Sequence, residues 1–361
     1  MKSLKLVVFI LVGVIFVATA FLGACAEPAP PPTPAPTPTP APTPTPPPPP
    51  PTIELTYGQT EGPEHTFSQA DLLWIEKIEK DTEDQVHITP YWGATLVSRA
   101  ENTAELIKGV ADLSYLSPRT GFPLMLGTLG FPFGVPDWET QVRIYEKVFE
   151  KFPELDAEWV DLKVMAKSVA SNYQLISTVP VRTLDDFKGL RIKATGAYIE
   201  VGKALGADAF YVSMGETYMA LEKGTIDACF APYDTLKSFR FYEVAPYVTI
   251  LNLQSAVRPT RGMNLDAWNS LPPDIQQIFE DSIAFWSLED NKARERVNGE
   301  GVELAKQAGV EFIEVSAEDL AELYEIMNTV MCAEAAKLDE KGLPGSEIYE
   351  EVRRLVEEYT K

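Results

Sequence analysis

The chain has 361 residues, with 31 Lys and Arg against 53 Asp and Glu, a net charge of −22 at neutral pH. Nucleic acid and anionic membrane surfaces both demand clustered positive charge, so this balance argues against either as a main partner. With 2 histidines and 3 cysteines, a histidine-rich metal site and a disulfide framework are also disfavoured.

The N-terminus opens with Lys2 and Lys5, followed by the uncharged apolar run Leu6 to Leu22 and then Gly23-Ala24-Cys25. That layout is a secretory signal peptide over residues 1–25. Its Leu-Gly-Ala-Cys ending resembles the bacterial lipobox, in which the cysteine is lipidated and becomes the mature N-terminus. A plain transmembrane anchor is the alternative, since the run approaches bilayer length. Either reading puts the rest of the chain outside the cytoplasm, anchored at Cys25 in the first case. From Pro28 to Pro51 every residue is Pro, Thr or Ala. Such a tract cannot bury a core and favours polyproline II, at ~3.1 Å per residue a reach of about 75 Å. Residues 26–52 are therefore a semi-rigid tether.

The body from residue 53 alternates strand and helix patterns. "IELTYGQ" (53–59) reads as a strand. "FSQADLLWIEKIEKDTED" reads as a helix opened by a Ser68–Asp71 capping box, with Leu72, Ile75 and Ile78 on one face. "QVHITPYW", "ADLSYLS", "LKVMAKSV", "QLISTVPV", "GLRIKAT", "DAFYVSM", "IDACFAP" and "YVTILNL" read as further strands. Helices are expected near 198–205, 215–223 and 234–241. This alternation implies α/β layers with a largely parallel sheet in each of two domains. Pro273 to Ala308 keeps helical periodicity, with Gly299 and Gly301 as possible bends, and at ~1.5 Å per residue spans about 50 Å, longer than one small domain is wide. A final helix opens at Ser316 through Asp319 and stops near Gly342. Cys229 and Cys332 are expected to be free, buried thiols, with pairing as the alternative.

No sequence signature of catalysis stands out. There is no Gly-x-Ser-x-Gly and no Gly-x-x-x-x-Gly-Lys-Ser/Thr. His65 and His87 lack i, i+4 spacing, and Cys229 has no base near it in sequence. No cofactor or metal is expected. An exported, tethered, two-domain α/β chain without such chemistry reads as a binding protein with its ligand between the domains.

Four segments carry a family resemblance. They are Asp186-Phe187-Lys188-Gly189-Leu190-Arg191-Ile192-Lys193; Glu216 to Gly224 leading into Asp227; Phe241-Tyr242-Glu243-Val244; and "MNLDAWNSLPPDIQQIFEDS" (263–282) with its Trp-x-x-Leu-Pro core. Together they resemble the TRAP-transporter solute-binding proteins, the DctP-like family. The resemblance implies a two-domain, periplasmic-binding-protein-like α/β fold, with an interdomain ligand cleft and a long helix spanning both domains. Domain I is expected over 53–172 and 258–296, and domain II over 173–257 and 297–361. It implies capture of a small organic solute, usually a carboxylate, and delivery to TRAP membrane subunits, with no chemistry done on the ligand. A binding protein of an ABC transporter or sensor system is the second reading, and an extracytoplasmic enzyme the third.

The resemblance also assigns the pocket. Where the family places a carboxylate-gripping arginine, this chain has Lys193, which cannot offer the planar fork. The family's asparagine position falls on Ala231, and a basic position upstream falls near Tyr173. With Phe230 and Tyr233 close by, the expected pocket is more aromatic. Gln59 and Glu61 after the first strand, and Tyr115, Ser117 and Arg119 after the third, are expected wall residues, because ligands of open α/β sheets sit at the carboxyl ends of strands. Arg119 is the reserve cation.

Overall fold

In the computed structural model, residues 51–118, 120–169 and 171–360 are described. The signal segment, most of the tether, Cys25 and Arg119 lie outside the described residues. Eleven strands are found among them: β1 (Ile53–Gly58), β2 (Val86–Tyr91), β3 (Leu113–Tyr115), β4 (Leu162–Ser168), β5 (Tyr173–Ser177), β6 (Arg191–Lys193), β7 (Asp208–Phe210), β8 (Ala228–Pro232), β9 (Tyr247–Leu253), β10 (Arg258–Asn264) and β11 (Glu311–Glu314). They form two sheets, ordered β2-β1-β3-β10-β4 and β11-β9-β5-β8-β6-β7.

Each sheet is parallel except for one strand. β10 runs antiparallel to β3 and β4, and β5 antiparallel to β8 and β9. The reason is topological. The chain leaves the first sheet at the end of β4 and enters the second as β5, then leaves the second at the end of β9 and returns as β10. A strand arriving from the other lobe enters at the carboxyl ends of its new neighbours and must run backwards. Both crossings therefore lie where the parallel strands end, which is where ligands bind in such sheets.

The helix Pro273–Gln307 has 35 residues, about 50 Å at ~1.5 Å each. It packs on the helix Thr66–Asp81 and β4 at the first sheet and on the helix Asp234–Ser238 at the second. Gly301 permits that last contact, because a Cβ there would meet the Tyr233 carbonyl. Trp74 and Trp286 stack at 3.7 Å inside the first core, beside Tyr57, Ile78 and Phe279. In the second core the helices Ala317–Asp339 and Gly345–Thr360 bury Leu323, Met327, Ile348 and Val352 with Leu175, Ile192 and Phe230. Leu124, Phe131, Ile144 and Val148 join that same core, although the expected partition gives residues 53–172 to the first domain.

Several expectations need correction. The helix Thr66–Asp81 starts two residues before Ser68, and His65 caps it, Nδ1 accepting from Phe67 N at 3.3 Å. Ser68 and Asp71 face the core instead, while Leu72 is exposed. Cys229 is free and buried, but Cys332 is free and exposed. At the other helix ends the reading holds: Ser316 Oγ accepts from Asp319 N at 3.0 Å, and Gly342 takes φ +75° just past Asp339.

Candidate functional site

Between the sheets, beside both crossings, lies a cavity of about 240 Å³. Glu61, His65, Phe67 and Tyr115 line it from the first sheet, and Ser171, Tyr173, Met214, Asp234 and Phe239 from the second. Arg258, the first residue of β10, and Arg294, from the long helix, complete it. Tyr115 ends β3, Tyr173 and Arg258 open β5 and β10, His65 and Phe67 sit at the start of the helix Thr66–Asp81, Phe239 follows the helix Asp234–Ser238, and Arg294 lies on the bridging helix.

Aromatic rings form one wall. Phe67 stacks on Tyr115 with centroids 5.2 Å apart and planes 11° from parallel. Arg294 lies over Phe67, 4.2 Å from the ring centroid. His65 packs edge-on to Phe67 at 4.7 Å, and burial pulls its pKa down, so the neutral ring that accepts from Phe67 N is favoured.

Behind this wall is a buried charge network. Arg261 Nε donates to Asp71 Oδ1 at 2.8 Å, and Arg261 Nη2 donates to Asp290 Oδ1 at 3.1 Å. Arg294 donates to Asp290 Oδ2 through Nε at 3.0 Å and Nη2 at 2.9 Å. Asp71 also accepts from Trp286 Nε1 at 3.0 Å, and from Tyr57 Oη and Gln59 Nε2 at 2.6 Å each. Two aspartates thus face two arginines, and the set is neutral. Its role is to fix Arg294 and the base of the aromatic wall.

The expected site residues divide. Tyr173, Tyr115 and Glu61 line the cleft. Tyr233 lines an adjoining cavity of about 220 Å³ that shares Ser171 and Arg294, and burial pushes its pKa up to about 12. Gln59 is buried in the Asp71 network, and Ser117 lines a separate cavity with Thr103 and Trp159. Phe230 is core: it packs on Phe187 and Tyr198, on the face of β8 away from Cys229. Lys193 is 2% exposed and pairs in register with Cys229. Burial lowers its pKa, and among the described residues no hydrogen bond reaches its ammonium. It is not among the residues that line the cleft.

Sequence reasoning missed Arg258, Arg294, His65, Phe67 and Asp234. Arg294 follows Asp290 by four residues, a spacing that usually marks a solvated helix pair. Arg258 sits in "VRPTRG", where only its place directly after the second crossing marks it.

A solute-binding protein of Sulfitobacter sp. is 26% identical over 221 residues, covering 60% of this chain and 67% of that one. A monocarboxylate 2-oxoacid-binding periplasmic protein of Nostoc sp. is 27% identical over 270 residues, covering 70% and 71%. Among solved structures, a TRAP periplasmic solute-binding protein of Desulfovibrio salexigens superposes with a TM-score of 0.74 at 25% identity, covering 85% of this chain and 96% of that one. A TRAP solute-binding protein of Rhodoferax ferrireducens, in complex with copurified benzoate, gives 0.76 at 19% identity, covering 86% and 99%. Residues 57–337 match the model of bacterial extracellular solute-binding protein family 7, DctP, and the chain belongs to that family.

Proposed function

We propose that the chain captures a small organic acid in the cleft between its two sheets, gripping the carboxylate with Arg258, and delivers it to the membrane subunits of a TRAP transporter. The observation that carries the Arg258 assignment is its lack of an ionic partner. Among the described residues it makes no ion pair, and its only hydrogen bond is a long one, 3.4 Å from Nη1 to Leu116 O. A cleft-lining guanidinium in that state is a ready fork for a carboxylate. The Nostoc relative, named for monocarboxylate 2-oxoacids, supports the same class. Family membership makes this an extracytoplasmic binding protein rather than an enzyme, and the likeness to TRAP solute-binding proteins favours that transporter class over an ABC or sensor partner. Lipidation at Cys25, with residues 26–52 as tether, would keep the cleft near its transporter and raise its effective concentration there. Cys25→Ser should then release the protein from membranes or leave its leader unprocessed.

Native mass spectrometry of the purified protein identifies the bound solute, and calorimetry with that solute tests the grip. Arg258→Gln is expected to weaken binding by roughly 2–5 kcal/mol, about thirtyfold or more. If Arg258→Gln binds as tightly as the parent while Lys193→Met does not, the carboxylate sits at the position the family resemblance marks, and Arg258 is the wrong residue.

A further inference from the structure

The charges lining the cleft leave two without partners. Glu61 is paired with Arg99, and Arg294 with Asp290. The remaining charges are Arg258 on the first-sheet side and Asp234 on the second. Among the described residues Asp234 has no ion pair, and its carboxylate is met only by the amides of its own residue and Thr235. Arg294 attracts it from a distance but is held by two hydrogen bonds to Asp290 and does not turn to meet it. The hydroxyl of Tyr173 stands within electrostatic reach of both Arg258 and Asp234.

We infer that the solute is a dipolar ion, with a carboxylate for Arg258 and a positively charged nitrogen for Asp234. This rests on the organic-acid reading above and narrows its substrate class. A half-buried carboxylate without a counter-ion gains most from a ligand that brings one, because the charge is already partly desolvated. A simple monoanion gains nothing there and meets repulsion from Asp234. The rings of Tyr173 and Phe239 add faces that attract an ammonium group. Burial also pushes the Asp234 pKa up to about 6, the direction expected of a carboxylate lacking its cation.

Matched probes test this. 2-Oxo acids and the corresponding 2-amino acids share a skeleton and a carboxylate and differ in the charged nitrogen. The pairs are 4-methyl-2-oxopentanoate with leucine, and phenylpyruvate with phenylalanine. Benzoate with 4-(aminomethyl)benzoate moves the charge further from the carboxylate, and cyclopentanecarboxylate with proline keeps it adjacent but within a ring. Calorimetry on the full folded body is expected to show the nitrogen-bearing member binding at least about tenfold tighter, some 1.4 kcal/mol. In Asp234→Asn that preference should vanish while affinity for the plain acid holds or improves. Plain acids binding as well as their amino partners, or a preference that survives in Asp234→Asn, would overturn the inference and leave the organic-acid reading standing. If a co-purified solute proves to have no carboxylate, both readings fall together. The wild-type comparison stands even if the variant does not fold.

Discussion

Arg261 and Asp71 are 190 positions apart in sequence and meet at 2.8 Å with neither side chain exposed to solvent. This contact joins β10, the strand returning from the second sheet, to the helix Thr66–Asp81 of the first. Its energetics are those of a buried pair: replacing the whole network by apolar groups can be neutral, but removing one member strands the rest. Arg261→Gln is expected to cost about 3–5 kcal/mol in urea unfolding, since Asp71 and Asp290 both lose a cation. Burial alone would raise the Asp290 pKa, yet Arg261 and Arg294 overcome it and hold it at about 2. That folded value lies below the ordinary carboxylate range, so the stabilisation is present above about pH 4 and fades as pH falls towards 2. A variant that unfolds at the same urea concentration as the parent would show that the network contributes nothing net.

Lys193 presents the opposite case, a buried charge with no partner among the described residues. Its folded pKa is lowered by burial while the unfolded chain keeps about 10.4, so the unfolded state binds more protons between the two values. Stability therefore rises with pH through that window, and below it the charge imposes its full cost. Lys193→Met is expected to raise the melting temperature of the ligand-free protein at neutral pH by roughly 2–4 °C, the equivalent of about 1 kcal/mol. The gain should shrink as pH climbs towards 10. A lower melting temperature in the variant would mean that the ammonium has a stabilising partner.

How far the sequence could be read follows from what encodes each feature. The long helix and most strands were legible because apolar periodicity is written directly into the chain. The reversal of β5 and β10 was not, since direction depends on which lobe the chain arrives from. Phe230 was misplaced for a related reason: residues 228–231 of β8 are all buried, so no polar face marks which side chains meet the cleft. Asp71 looked like half of a capping box because Ser-x-x-Asp is a local pattern, whereas its partners Arg261 and Trp286 are about 200 residues away. Tyr115 and Glu61 reach the cleft because the carboxyl-end rule is topological and needs only the strand ends, whereas Tyr173, the first residue of β5, was marked only by the family resemblance.

Asp234 should make ligand-free stability depend on pH with the sign opposite to Asp290. Burial raises its pKa to about 6, above the unfolded value, so the folded state holds its proton more tightly. Its neutral form is tolerated below about pH 4, and the cost of charge appears as pH rises through 6. Asp234→Asn is expected to be more stable than the parent at pH 8, with the difference closing as pH falls to 4. Thermal melts of both proteins across that range provide the measurement. An advantage that stays constant with pH would trace the effect to something other than ionisation.

Gly299 and Gly301, two residues apart on the long helix, should respond oppositely to the same substitution. Gly299 is exposed, and a Cβ there meets nothing within 4 Å. Gly299→Ala is therefore expected to stabilise by roughly 0.5–1 kcal/mol, the helix preference of alanine over glycine. Gly301 is buried against the Tyr233 carbonyl, with the Cα of Asp234 next in line at 3.6 Å from the added Cβ. The obstacle is backbone, which cannot swing aside as a side chain can. Overpacking of that kind costs about 1–3 kcal/mol, enough to outweigh the propensity gain. Gly301→Ala should therefore destabilise, and because the strained turn carries Asp234, it should also weaken solute binding where Gly299→Ala does not. Urea unfolding and calorimetry on the pair decide it. If both variants stabilise equally, the helix can shift away from the turn, and the close approach at Gly301 does not hold Asp234 in the cleft.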